Sequence, residues 1–420
     1  MRRPPALAFA ALALVLACAA APAAHAQRAA LSGVVSDSTT GETLIGANVY
    51  VAALERGAAT NAAGFYSLAG LPAGTYSVAF SYLGYVTHVE EVVLAPGEER
   101  RLDVVLPLEI VAREEVVVQG EPPIEEQAAV GLQNLPIRLV QQLPSVFESD
   151  LLRSIQLLPG VKSASDFSSK LYVRGGSPDQ TLILLDGTTV YNPTHFFGFF
   201  STFNTEAIKD VRFYKGAYPV LYGGRLGAVV DVYNRDGNRN EREGMVQVGL
   251  LASRAGIEGP LRVGGMPGSF MVAARRSTLE PLLAGLRSTL ENSSGVPDRF
   301  YFYDLNAKLS LDLSPRDRIS IAGYAGRDVV EIPFTSNANF DLRYGNETVT
   351  LGYTRLMSPS LFMTTRATAS RYYSFPVGDI AGTTFERPNT ITDISARADL
   401  EWSPSRRFEG RAGVWGGYFE

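Results

Sequence analysis

Cysteine is almost missing from this 420-residue chain: Cys18 is the only one. It falls in a leader-like start, so neither a disulfide nor a thiolate metal site is expected in the exported protein. Histidine is nearly as scarce, with three in all. His25 lies in the same start, and His88 and His195 stand far apart without HExxH-type spacing, which argues against a histidine zinc site. After the leader no run reaches roughly 18 consecutive apolar residues, so a membrane-spanning helix is not expected. There is no basic excess either. A net charge of -5 and a pI near 5.5 argue against a nucleic-acid partner. No GxSxG is present, no lysine follows Gly175-Gly176 as a phosphate loop requires, and no GxGxxG opens a helix. The reading is therefore not an enzyme, with no cofactor and no metal.

What the chain does hold begins with an address. Arg2 and Arg3, the apolar residues 6–21 and Ala24-His25-Ala26 follow the three-part pattern of a secretory signal peptide, residues 1–26. A lipoprotein signal ending at Cys18 fits poorly, because Val15-Leu16-Ala17 precedes it. Forty glycines, nineteen tyrosines and twenty-one phenylalanines predict a β-rich chain with many turns.

Residues 28–106 alternate short β-prone runs with the turn signals Thr40-Gly41, Asn61-Ala62-Ala63-Gly64, Pro72-Ala73-Gly74 and Pro96-Gly97. Turns at that spacing predict a small β-sandwich. The stretch resembles the carboxypeptidase regulatory-like domain through Gly33-Val34-Val35-x-Asp37, Thr40-Gly41-Glu42, Gly46-Ala47-Asn48-Val49, Asn61-x-x-Gly64-x-Tyr66, Leu71-Pro72-Ala73-Gly74-x-Tyr76 and Tyr82-x-Gly84-Tyr85. That domain is the non-catalytic neighbour of peptidases. It reads here either as a spacer or docking module or as a folded extension with no ligand of its own.

Residues 107–135 read as a linker broken by Gly120, Pro122 and Pro123. Within it Glu115, Val116, Val117 and Val118 form a β-prone run between polar residues. Such a run can add as a strand to another protein's sheet edge, or pack as a last strand on the sandwich.

Residues 136–240 follow. A helix is expected over 147–161, then strands over 170–174, 181–185 and 188–191 with turns at 175–180 and Asp186-Gly187. Successive hairpin turns lie at opposite ends of a sheet, so Ser177, Asp179 and Gln180 should share one end with Asn192, His195, Phe196 and Phe197. An apolar cluster with a few polar groups suits a small-molecule site, although packing is the commoner fate of phenylalanine. Arg174 is expected to hold a carboxylate such as Asp186, or one on a surrounding wall. Gly175, Gly187, Gly223 and Gly227 should serve turns and close backbone approaches.

The ordered motifs Leu171-Tyr172-Val173-Arg174-Gly175-Gly176, Leu184-Leu185-Asp186-Gly187, residues 208–216 and Leu221-Tyr222-Gly223-x-x-x-Gly227-x-Val229 resemble the plug domain of TonB-dependent outer-membrane receptors. The resemblance implies a four-stranded plug inside a large barrel. Its apical loops would help to bind solute, and Glu115–Val118 would serve as the TonB box.

From residue 241 onward strand follows strand. In YFYDLNAKLSLDL (301–313) the odd positions are aromatic or aliphatic and most even positions are polar, over a length that suits a tilted bilayer crossing. Residues 399–402 and 411–418 repeat the theme, and residues 268–277 resemble an early barrel strand of the same receptors. About eight or nine candidate strands are visible, against roughly 22 in a full receptor barrel, so the chain reads as the N-terminal part of a longer receptor.

The expected fold class is thus mainly β: a small N-terminal β-sandwich, an α+β plug, then the first strands of an antiparallel transmembrane β-barrel, 241–420. The expected role is TonB-dependent import of a scarce solute such as a siderophore or cobalamin. Sensing, glycan import on the same scaffold and a peptidase-associated binding protein are the alternatives. The implied partners are TonB with ExbB/ExbD, a small solute or chelate, and outer-membrane lipid. The implied place is the outer membrane, with the sandwich in the periplasm.

Overall fold

The structure is a computed structural model that describes residues 28–109, 131–143, 148–163, 165, 168–290, 295–335, 337–405 and 408–420. The leader and the pairing run Glu115, Val116, Val117 and Val118 lie outside the described residues.

The first body is a sandwich of two four-stranded sheets. In one, Ala29–Asp37 pairs with Phe65–Leu71, Glu99–Arg101 and Val104–Leu106; in the other the order is Arg56–Ala59, Asn48–Val51, Gly74–Ser81, His88–Leu94. Alternation does the folding. In Gly74–Ser81, Tyr76, Val78 and Phe80 point inward while Thr75 and Ser77 are exposed. With Leu31, Val35, Val49, Tyr66 and Val92 they form one core. Each such side chain contributes about 1.5–3 kcal/mol by leaving water. Within the first sheet the strands close tightly at Gly33, where a Cβ would stand 1.8 Å from the carbonyl oxygen of Leu102, the residue just after Glu99–Arg101. Only glycine fits there.

The second body has a five-stranded sheet ordered Thr188–Thr189, Thr181–Leu185, Ala228–Asn234, Ile208–Tyr214, Leu132–Pro136. That is one strand more than the resemblance implied. The central strand, AVVDVYN, is buried at every position, and so is TLILL, its parallel partner. Both faces of this pair are covered, which explains runs without alternation. The expected helix is present but shorter, Leu151–Gln156. Asp150 caps it by accepting from the Arg153 amide, and Gly160 turns the chain at φ 82°.

The third body is an open antiparallel sheet of ten strands. Nine follow one another from Glu243–Gln247 to Phe408–Phe419, and the short Thr383–Glu386 pairs beside Leu361–Ile380. Ala338–Ser358 is 21 residues long. At about 3.3 Å per residue it reaches roughly 70 Å, well beyond a hydrocarbon layer of about 30 Å even when tilted. The second body sits against the inward face of this sheet. In Arg299–Ser314 the inward residues include Phe302, Asp304, Asn306 and Ser310, all buried, whereas Tyr303 and Leu305 face out. Among the described residues no helix is long and apolar enough to cross a membrane.

Candidate functional site

Sheet geometry puts Thr194–His195 opposite Phe200–Ser201 in a small hairpin that reaches the wall. His195 is buried there between two carboxylates: its Nδ1 lies 2.5 Å from Asp328 and its Nε2 2.9 Å from Asp304. Its ring stacks on Phe302 at 4.2 Å. Neutral imidazole has one donor, so satisfying both acceptors requires the imidazolium. Burial by itself would lower the pKa, but Asp304 and Asp328 raise it to about 9.

Charges around this ring continue the contact. Arg275 of the wall donates to Asp304 at 2.8 Å, to Glu148 at 2.9 Å and to the Ser201 carbonyl at 2.7 Å. Arg254 meets the other oxygen of Glu148 at 2.7 Å. His195, Arg254 and Arg275 thus face Asp304, Asp328 and Glu148 in an enclosed space, with Glu206 3.8 Å from Arg254. That composition compensates the large cost of burying each ion alone. A second junction sits at the Asp186-Gly187 turn. Lys308 of the wall reaches Asp186 at 3.3 Å and Asp236 at 2.9 Å, and Asn234 donates to Asp186 at 2.7 Å. Burial would raise the Asp236 carboxyl, yet Lys209 and Lys308 hold it well below the usual carboxylate range. A third group surrounds Asp231, which accepts from Tyr222 at 2.8 Å and Tyr233 at 2.6 Å. Burial pushes its carboxyl up. It borders a cavity of about 320 Å³ shared by all three bodies and lined by Arg212, Lys308, Arg366 and Arg397 among others.

Residues 31–118 match the CarboxypepD_reg-like domain family, and residues 140–229 match the TonB-dependent receptor plug domain. The chain carries a TonB-dependent receptor plug. No curated protein matches the chain. Among solved structures it is similar to the siderophore receptor PirA from Acinetobacter baumannii, with 14% identity and a TM-score of 0.51 over 69% of this chain and 48% of that one. It is also similar to the outer membrane transporter YddB from Escherichia coli, with 11% identity, a TM-score of 0.52 and the same shares of 69% and 48%. At such identity the likeness shows the fold. The chain spans about half the length of these proteins. The match to the regulatory-like family extends across Glu115, Val116, Val117 and Val118.

In the plug the residues singled out from sequence separate into two groups. Ser177, Asp179 and Gln180 stand at the start of Thr181–Leu185, the end of the hairpin to which Asn192 also belongs. Asp179 is exposed, and its hydrogen bond from Ser177 lowers its pKa. Gln180 gives its carbonyl to the Gly227 amide, and Asn192 gives its carbonyl to Asn346 of the wall at 2.7 Å. His195 and Phe196, expected at a solute surface, are instead enclosed by the plug–wall contact. The Phe196 ring stacks on Phe300 at 3.8 Å, and Phe200 and Phe302 join that cluster. Phe197 alone turns out, 60% exposed, with its amide on the Tyr344 hydroxyl.

The expected Arg174–Asp186 pair does not form. Arg174 is exposed and sits by Gly131 and Gly216, whereas Asp186 lies at the far end of the hairpin on Lys308. Gly175 and Gly187 take φ of 85° and 86° in their turns, and Gly176 returns its amide to the Val173 carbonyl. Gly227 packs on Gln180, while Gly223 has open space around it and Tyr222 is tied to Asp231. Sequence reasoning missed the wall's half of the site: Arg275, Asp304, Lys308 and Asp328, with Glu148 of the plug. The available signal was the polar set on the inward face of 301–313.

Proposed function

We propose that the protein is an outer-membrane receptor that binds a scarce solute, a siderophore or cobalamin-like chelate, and passes it to the periplasm when TonB pulls on the plug. The observation that supports this most is the charge-paired seat of the plug. His195 and Glu148 meet Asp304, Asp328 and Arg275 of the strands, so the plug fits this wall and can be unseated as a unit. The outer membrane offers no nucleotide energy, so the force must arrive through protein contact. Glu115, Val116, Val117 and Val118 supply the pairing strand for TonB, itself driven by ExbB/ExbD. Ser177, Asp179, Gln180, Asn192 and Phe197 are the plug's contribution to the solute site, and the apolar outer face of the strands contacts outer-membrane lipid. The sandwich stands in the periplasm.

The full chain, expressed with its leader in a Gram-negative host, provides the test. It should fractionate with the outer membrane and be retained by the periplasmic domain of TonB. Deletion of residues 115–118 should abolish that retention. Equal recovery of both chains removes the coupling assignment.

A further inference from the structure

The sandwich does not hang free of the plug. Tyr82 donates to Asp210 at 3.1 Å, where a register irregularity re-aims the plug strand. Arg138, just after the plug's edge strand Leu132–Pro136, meets Asp37 at 3.0 Å, and the Tyr85 hydroxyl shares that carboxylate at 2.6 Å. Glu42 accepts the amides of Asp236 at 2.6 Å and Gly237 at 3.1 Å, where the plug passes into the wall. On the other flank the sandwich grips the wall's short turns. Ser67 donates to the Pro359 carbonyl at 2.6 Å, Arg101 to the Pro315 carbonyl at 2.7 Å, and Phe65 stacks on Phe362 at 5.2 Å.

A spacer has no need of buried acids aimed at the plug's amides. We propose that the sandwich is a clasp: it bolts the plug to the wall from below, and the Asp37–Arg138–Tyr85 knot with Tyr82–Asp210 is the part that opens first. The chain path supports this order. The sandwich's last described residues are held by Tyr85↔Leu108 pairing and by the Glu109 amide on the Gly84 carbonyl. The plug resumes at Gly131 and enters Leu132–Pro136, an edge strand paired on one side only. The two attachment points of the intervening chain therefore flank the knot. Tension on that chain loads Tyr85 from one end and peels Leu132–Pro136 toward Arg138 from the other. Pairs at a sheet edge yield one at a time, whereas the sandwich core and the wall carry the load together. This mechanical part rests on the transport reading; the clasp itself does not.

Hydrogen exchange on the full chain in outer-membrane vesicles tests it, comparing wild type with Tyr82→Phe/Arg138→Gln. The double variant should exchange the amides of residues 132–135 and 236–237 about tenfold faster or more. Amides of Asn48–Val51 and Gly74–Ser81 should stay as slow as in wild type, showing that the sandwich remains folded. Arg138→Lys, with Tyr82 kept, should restore most of the protection. Wild-type rates at 132–135 and 236–237 in the double variant overturn the clasp, and so does acceleration confined to the sandwich's own strands. Uptake of a ferric siderophore panel is read in parallel. A chain that imports nothing yet shows the expected exchange pattern keeps the clasp and removes the transport reading.

Discussion

Asp304 of the wall and His195 of the plug stand 2.9 Å apart, both fully enclosed, with Asp328 on the other ring nitrogen at 2.5 Å. Removing the ring takes from buried Asp328 its ion-pair partner and leaves Asp304 with only Arg275 and Tyr324. His195→Ala should therefore lower the stability of the plug–wall unit by about 3–5 kcal/mol. Calorimetry of the full chain in detergent would show this as a large drop in Tm. A change no greater than that of a surface substitution rejects the ion-pair assignment.

The same ring sets a pH dependence. Its folded pKa is about 9 and its ordinary value 6.5. Because the folded value is the higher, the stabilisation is complete below about pH 6.5, declines as pH rises toward 9, and is gone above it. The gap corresponds to about 3 kcal/mol. Tm should fall between pH 6.5 and 9 in the wild type and much less in His195→Gln. Parallel curves for the two proteins contradict the assignment.

Why half of this site was legible follows from where each half lies in the chain. In residues 301–313 the inward polar face can be read directly, because period two is a property of the strand itself. Its partners cannot: His195 and Glu148 lie more than a hundred residues earlier, and nothing local specifies which carboxylate meets which cation. Arg174 and Asp186 show the converse error. They are near in sequence and opposite in charge, yet the hairpin holds them at different ends. The phenylalanines fail for a backbone reason. Phe196 and Phe197 take φ of 49° and 58°, a region bulky residues rarely enter. That turn sends one ring into the wall contact and its neighbour to the surface.

This split leads to a paired prediction. Phe196→Ala removes a buried, stacked ring and should cost about 3–5 kcal/mol. Phe197→Gly removes an exposed ring and relieves a left-handed backbone, so stability should hold or rise by up to about 1 kcal/mol. If Phe197 contacts solute as proposed, its loss should weaken binding while leaving Tm unchanged or higher. Titration of both variants with a ferric siderophore panel separates the effects. Equal binding by Phe197→Gly and wild type would remove Phe197 from the site.

Gly33 offers a test confined to the sandwich. A methyl group there would lie 1.8 Å from the Leu102 carbonyl oxygen and 3.1 Å from the Tyr66 ring. The backbone carbonyl cannot swing aside without giving up the bond it accepts from the Tyr66 hydroxyl at 2.8 Å. Gly33→Ala should cost about 1–3 kcal/mol through overpacking. Exchange should rise in the sandwich strands before it rises in the plug. Unchanged sandwich protection would mean that Ala29–Asp37 and the chain at Leu102 approach less closely than described.

Lys308 separates attraction from burial. It is shared by Asp186 and Asp236, but Asp236 also has Lys209 at 2.6 Å. Asp186 has the Asn234 amide and side chain, and Arg366 of the wall acts on it only from beyond ion-pair distance. Lys308→Met should thus leave Asp186 as the less compensated charge and destabilise the plug–wall unit by about 3–5 kcal/mol. Adding Asp186→Asn removes that charge while keeping a polar group of the same shape, so the double variant should recover a large share of the loss. Asp236→Asn in the same background should recover less, because Lys209 then loses its partner. Urea unfolding of the plug in membrane preparations would rank the three chains. The opposite ranking, with Asp236→Asn the better rescue, would place the critical charge at Asp236 and overturn the role assigned to the Asp186-Gly187 turn.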